Sequence, residues 1–311
     1  PADLGVLCSN LSYLTNPQLD LVKDAHQFAT EVHKDQKRRT GHPYITHPSA
    51  VALILTEMKM DHETIMAALL HDVIEDSEIN KSSLAKRFGR AVSEIVDGVS
   101  KLSKIFDSQA QAQAENFQKM ALAMAKDIRV ILVKIADRLH NMRTIGVMSD
   151  EQRRRIARET LDFYAPIANR LGMNNLKNEL EELAFQALYP LRAEAITSAV
   201  DSRGNKKELM NEVTASILAA LNREGINAEV ISRKKNAYSI YKKMKAQRKS
   251  FSEIMDVFGI RIIVDQVDSC YRALGVAHNL YTPIPARFKD YISIPKINGY
   301  QSLHTSLITL E

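Results

Sequence analysis

From Leu19 to about Asp35 the apolar residues Leu21, Val22, Ala25, Phe28 and Val32 recur every three or four positions, and the spacing predicts an amphipathic helix. A second helix is expected from Pro48 or Ser49 through Met58, because proline is well tolerated at a first helical position. Asp61 restarts the chain into a third, which runs through Met66-Ala67-Ala68-Leu69-Leu70 into His71-Asp72 and then Glu75-Asp76. Helices are expected again around Lys81–Phe88, Ala91–Leu102, Phe117–Ile128 and Ile131–Met142, with a Gln- and Ala-rich connection over Ser108–Asn116. In the last of these, Leu132, Ile135, Ala136, Leu139 and Met142 form a core stripe.

Residues 149–199 read as long helices, broken at Leu171-Gly172-Met173. The pattern changes after Ser202-Arg203-Gly204-Asn205. A helix over Lys207–Glu224 ends at Gly225, and strands then alternate with helices: Asn227–Ser232, Tyr238–Gln247, the β-branched Phe258–Val264, Ser269–Leu280 and Leu303–Leu310. The expected fold class is therefore mainly α. An all-helical domain (residues 1–148) and a helical connector (149–199) precede a smaller α/β domain around a mixed sheet (200–311).

Composition narrows the chemistry only in places. With 45% hydrophobic and 25% charged residues, the 311-residue chain is ordinary for a globular protein with room for two cores. No apolar run approaches the ~20 residues of a membrane span, and no basic-then-apolar leader is seen. Pro1 and the strand-like run ending at Glu311 suggest a piece of something longer. Two cysteines, Cys8 and Cys270, far apart, point to reduced thiols in the cytoplasm. A net charge of +5 suits anionic partners without specifying nucleic acid. The histidines say more: of nine, His26, His33, His42, His47, His62, His71 and His140 all precede residue 141.

Four of the chemistry-bearing groups lie where the third helix leaves its apolar run. Adjacent His71 and Asp72 can both ligate one metal, and i,i+4 spacing in a continuous helix stacks Glu75 over His71 and Asp76 over Asp72. The bland alternative is a helix end carrying solvated charge. His47 precedes the second helix. Asp137 flanks the core stripe, a costly place for a carboxylate unless it is paired or bound to a metal. A surface pair with Lys134 or Arg138 would satisfy it equally. Together His47, His71, Asp72 and Asp137 form a two-His, two-carboxylate set suited to a divalent transition metal with positions left open. Lys37-Arg38-Arg39-Thr40-Gly41-His42-Pro43 forms a basic turn, either a solvated loop or a phosphate holder.

His47, His71-Asp72 and Asp137 resemble the signature of HD-domain metal phosphohydrolases. The neighbouring text, Pro43-Tyr44-Ile45-Thr46-His47-Pro48, Ala67–Asp76, Gly98-Val99-Ser100-Lys101-Leu102, Ala114-Glu115-Asn116-Phe117 and Ala136–Arg143, is similar to the RelA/SpoT family of bifunctional (p)ppGpp synthetase/hydrolases. The resemblance implies a Mn²⁺ site held by His47, His71, Asp72 and Asp137, and hydrolysis of the 3′-pyrophosphate of ppGpp or pppGpp to GDP or GTP. Glu75 and Asp76 would orient and deprotonate the attacking water. Arg38, Arg39, Tyr44, Asn141 and Thr144 would hold guanosine and phosphates.

The second half groups basic residues with one well-placed acid, Asp256: Arg233, Lys235 and Lys243, then Asp256 before the strand containing Arg261, then Arg287-Phe288-Lys289-Asp290 and Asn298-Gly299-Tyr300-Gln301-Ser302-Leu303-His304. Such a grouping suits a Mg²⁺-nucleotide, or is an inert basic surface. It resembles the family's synthetase domain, which passes pyrophosphate from ATP to GDP or GTP. By that resemblance Arg233, Lys235, Lys243 and Arg261 hold ATP phosphates and Asp256 ligates Mg²⁺. Asn298, Tyr300 and His304 place the guanine nucleotide, and the segment containing Arg287 and Lys289 has the form found in bifunctional members. Two departures stand out. Ala286 replaces a usual glycine, and the family's second catalytic Glu falls beyond Glu311. With one carboxylate, this half is expected to bind nucleotide and turn over poorly. The family's C-terminal regulatory domains are likewise absent from the sequence.

Overall fold

The computed structural model describes residues 4–107, 126–201, 205–248, 250–251 and 258–308. The chain divides into two compact units, Pro1–Tyr164 and Ala165–Glu311, which share between them the expected 149–199 connector. The segment Ser108–Asn116, nearly all of the expected Phe117–Ile128 helix, and Asp256 lie outside the described residues.

The first unit is helical: α1 (Leu4–Ser9), α2 (Asn16–Val32), α3 (Thr46–Thr56), α4 (His62–Leu70), α5 (Val73–Asp76), α6 (Lys81–Phe88), α7 (Arg90–Asp107), α8 (Ile128–Arg143) and α9 (Asp150–Glu159). Helix α4 is its axis. Every residue from Thr64 to Leu70 is buried, and the helix packs on α2, α3 and α7. A helix apolar all round has no other place than the centre. Asp61 starts it by accepting the Thr64 amide at 2.8 Å, a cap contributing about 1 kcal/mol.

The expected continuous helix through Glu75-Asp76 does not form. Helix α4 stops at Leu70, His71 and Asp72 occupy a turn, and α5 is a separate single turn. The Glu75 and Asp76 amides both reach back to the Asp72 carbonyl, at 3.1 and 2.9 Å. His71 and Asp72 keep right-handed helical backbone angles through this turn, and their side chains meet with His71 Nε2 3.2 Å from Asp72 Oδ2.

Helix α8 crosses α7 closely. A Cβ placed on Gly98 would lie 2.8 Å from Val130 Cγ2, so only glycine permits this approach. After α9 a π turn, Thr160–Tyr164, buries Tyr164 beneath Arg138, whose guanidinium lies 4.3 Å over the ring.

The second unit begins with α10 (Ala165–Arg170), α11 (Asn174–Leu188), α12 (Pro190–Asp201) and α13 (Asn205–Arg223). The predicted break at Gly172 is present, with φ of +75°. Strands β1 (Ala228–Lys234) and β2 (Phe258–Val264) flank α14 (Ala237–Gln247), and α15 (Val267–Leu280) leads to short strands β3 (Thr282–Pro283), β4 (Lys289–Asp290), β5 (Leu303–His304) and β6 (Leu307–Ile308). Among the described residues these pair antiparallel as β1–β2, β3–β6 and β4–β5, three two-stranded ladders where the sequence suggested one mixed sheet. The expected 303–310 strand is split at Thr305-Ser306, so that its two halves serve different partners. Ala228, Val230, Ile260, Ile262 and Val264 turn one face of β1–β2 onto Val213, Ile217 and Leu221 of α13, the alternation a pleated strand imposes.

Candidate metal centre

Two helix ends and one helix interior converge in the first unit: the N-terminus of α3 with His47, the break after α4 with His71-Asp72, and the middle of α8 with Asp137. One ligand atom from each of His47, His71 and Asp137 lies within 4.8 Å of the others, and all three residues are buried. His47 Nε2 is 3.2 Å from Asp137 Oδ1 and 3.7 Å from Asp72 Oδ2. His71 Nε2 is 3.2 Å from Asp72 Oδ2 and 3.9 Å from Asp137 Oδ1. The structure thus brings together all four residues of the set.

Each donor is also tied from behind. His71 Nδ1 is 2.7 Å from the Ala68 carbonyl, which requires the proton there and leaves Nε2 bare when the ring is neutral. That Nε2 is buried and makes no hydrogen bond. His47 Nδ1 is 2.7 Å from His140 Nδ1. The Tyr44 hydroxyl donates to Asp72 Oδ2 at 2.7 Å. Asp137 accepts from Lys134 Nζ at Oδ2 (2.8 Å) and from Asn141 Nδ2 at Oδ1 (2.6 Å). Fixed outer partners of this kind are typical of metal ligands. An orphaned buried nitrogen beside two carboxylates fits a divalent cation, and the four residues would hold it.

The charges are consistent with that role. Burial opposes ionisation of Asp72, but the adjacent imidazoles of His71 and His47 outweigh it and hold the carboxyl well below its usual range. Burial is likewise overcome at Asp137, by Lys134 first and then the histidines. Burial lowers His47. At His71 burial is outweighed by the Asp72 charge, which raises the imidazole to about 9 in the absence of a cation. The expected alternative for Asp137, a pair with Lys134, is real but buried rather than on the surface, with both side chains at most a tenth exposed. A buried ion pair beside two imidazoles marks a site more than a surface.

Glu75 and Asp76 stand on α5, exposed at the mouth. Burial and the nearby Asp72 charge raise the Asp76 carboxyl. The basic turn is a small hairpin, bridged between Lys37 and Pro43 and turned at Gly41 with φ of +84°. Arg38 Nη2 donates to Asn141 Oδ1 at 2.9 Å, and Arg39 Nη1 to Gln152 at 2.7 Å. Tyr44 and Asn141 therefore adjoin the four-residue group directly, and Arg38 joins it through Asn141. Thr144 caps α8, its hydroxyl donating to the His140 and Asn141 carbonyls. Three contributors were not singled out from sequence. His140 lies at i+3 from Asp137, and that spacing was the available signal. Lys134, at i−3, was read as surface. His33 is buried, stacked on Tyr44 at 4.7 Å between centroids, and nothing in its sequence context marks it.

In the second unit a smaller cluster forms around His304. The Tyr300 hydroxyl and His304 Nε2 are 3.0 Å apart, and Asn298 Oδ1 accepts the Tyr300 amide. Lys289 pairs across from His304 in β4–β5, and Lys296 Nζ lies 5.0 Å over the Tyr300 ring. Burial, then the charges of Lys296, Lys289 and Arg261, lower the His304 imidazole; Arg261 itself lies on β2 opposite Ile231. Arg233 lies on β1 opposite Gly259, Lys235 just past that strand, Lys243 on α14 and Arg287 in a 3₁₀ turn.

A helical fold whose paired His-Asp ends enclose a cation site defines an HD domain, and a family profile described as "HD domain" matches residues 25–174. A second profile, "Region found in RelA / SpoT proteins", matches residues 232–311. The chain is 54% identical over 95% of its length to a Vibrio cholerae protein named guanosine-3′,5′-bis(diphosphate) 3′-pyrophosphohydrolase, covering 42% of that protein. It is 53% identical over 96% of its length to the Escherichia coli K12 protein named bifunctional (p)ppGpp synthase/hydrolase SpoT, covering 43% of it. It is 48% identical over 95% of its length to a Myxococcus xanthus GTP pyrophosphokinase, covering 40% of that protein. The chain thus carries an HD domain followed by a RelA/SpoT region, and it spans about two fifths of the length of these relatives.

Proposed function

We propose that the first unit removes the 3′-pyrophosphate of ppGpp or pppGpp, giving GDP or GTP and pyrophosphate, with Mn²⁺ as the metal. The observation that carries this reading is the set of four donors, each tied from behind, with the buried Nε2 of His71, which accepts or donates no hydrogen bond among the described residues, beside a basic turn. A divalent cation there supplies Lewis acidity toward a water and a phosphate oxygen. Asp76, its carboxyl raised by burial and by Asp72, takes the proton of the attacking water while Glu75 orients it. Arg38 and Arg39 bind the phosphates, and Tyr44, Asn141 and Thr144 hold the guanosine. The reading agrees with the names of relatives that share more than half of the aligned residues. The test is pyrophosphate release from ppGpp with Mn²⁺ and its loss with EDTA. Release unaffected by the chelator would refute it.

A second activity, pyrophosphate transfer from ATP to GDP or GTP with Mg²⁺, is favoured by the cluster of Asn298, Tyr300, His304 and Lys289. Incubation with ATP and GDP in Mg²⁺ separates a transferase from a unit that only senses the nucleotide. The partners are thus guanine nucleotides and ATP. No helix among the described residues is long and apolar enough to cross a membrane, and the two free cysteines agree with placement in the cytoplasm.

A further inference from the structure

The structure assigns His140 a positioning role: its Nδ1 accepts the Nδ1–H of His47 and so holds His47 in the tautomer that presents a bare Nε2 to the metal. This rests on the proposed metal centre. The two Nδ1 atoms are 2.7 Å apart and the ring centroids 4.9 Å, so one hydrogen lies between them. If His47 carries that hydrogen, its neutral Nε2 is a free ligand. If His140 carries it, a neutral His47 has its proton on Nε2, where it donates to Asp137 Oδ1 at 3.2 Å and cannot ligate. Which ring donates therefore decides whether His47 is a ligand. His47 is 2% exposed, and among the described residues His140 is the one hydrogen-bond partner of its Nδ1.

The placement follows from helix spacing. Lys134, Asp137, His140 and Asn141 lie at i−3, i, i+3 and i+4 on one face of α8. A single helix thus carries one ligand, two clamps on that ligand, and the partner of a second ligand on α3. A carboxylate or backbone carbonyl usually fills this place behind a metal-bound histidine, and only accepts. A neutral imidazole accepts without adding charge to a site that already holds two carboxylates.

Binding of Mn²⁺, followed by electron paramagnetic resonance, tests the assignment on the full chain. His140→Phe keeps the ring but removes the acceptor, and affinity should fall 10- to 100-fold. His140→Gln restores an acceptor and should recover most of the loss. A folded His140→Phe variant that binds Mn²⁺ as tightly as the parent overturns the role. A second measurement needs no variant. Long-range ¹H–¹⁵N spectra of the parent protein, with Zn²⁺ as diamagnetic probe, should show His140 protonated at Nε2 and bare at Nδ1. A proton on His140 Nδ1 in the loaded protein overturns it. Failure of the parent to bind Mn²⁺ or Zn²⁺ at all would instead overturn the metal centre itself, and this inference with it.

Discussion

Asp72 and Glu75 are three residues apart and stand in different surroundings, on either side of the start of α5. Asp72 faces inward, between two imidazoles and the Tyr44 hydroxyl, whereas Glu75 stays at the mouth. Asp72→Asn should therefore abolish Mn²⁺ binding and hydrolysis together. Glu75→Gln should keep Mn²⁺ affinity and lose about 10²–10⁴ in rate. Loss of Mn²⁺ by Glu75→Gln, in a binding titration beside a pyrophosphate assay, would show that the two roles are assigned the wrong way round. His71 adds a pH dependence. Its folded-state imidazole is raised from 6.5 to about 9, so in metal-free protein its pairing contributes fully below about pH 6.5. That contribution is lost as pH rises through about 9. Urea midpoints in EDTA should fall across this window, while Mn²⁺ affinity rises over it because the cation must displace the proton. A flat midpoint would contradict the buried imidazolium.

At the scale of elements, α8 does the most, and its distance from α7 is set by one glycine. Gly98→Ala would put a methyl 2.8 Å from the stiff, β-branched Val130. Helix α8 would have to shift or Val130 leave its rotamer, at about 1–3 kcal/mol. The melting temperature should drop by several degrees, with weaker Mn²⁺ binding because α8 carries Asp137 and His140. An unchanged melting temperature would show that α7 and α8 have slack. Much of this element was legible in the sequence: the stripe Leu132, Ile135, Ala136, Leu139 and Met142 is buried as its period requires, apart from Leu132, which is only partly so. The burial of Lys134 was not legible, because a lysine at i−3 from an aspartate looks the same on a surface as in a core.

Across the whole molecule, the two polar clusters belong to separate units. The His-Asp group precedes Tyr164, and the Tyr300–His304 cluster lies after Ala165. Tyr300→Ala removes a stacking ring and should weaken guanine nucleotide binding by the second unit by about 1–3 kcal/mol. It should leave ppGpp hydrolysis by the first unit unchanged. A matched fall in hydrolysis, measured on the same preparation, would mean that the second unit takes part in the first reaction.

The sequence by itself determined the helical first half, the break at Gly172, the β-branched strand Phe258–Val264 and the choice of His47, His71, Asp72 and Asp137, which the structure brings together. Each rests on local periodicity, or on residue types that are costly to bury without a partner. Only the tertiary structure decided that α4 ends before His71, that Lys134 is buried against Asp137, and that His140 meets His47 across 93 residues of sequence. These depend on which parts of the helices converge. That convergence is set by the burial of α4 among its neighbours, a long-range balance of packing that local spacing does not encode.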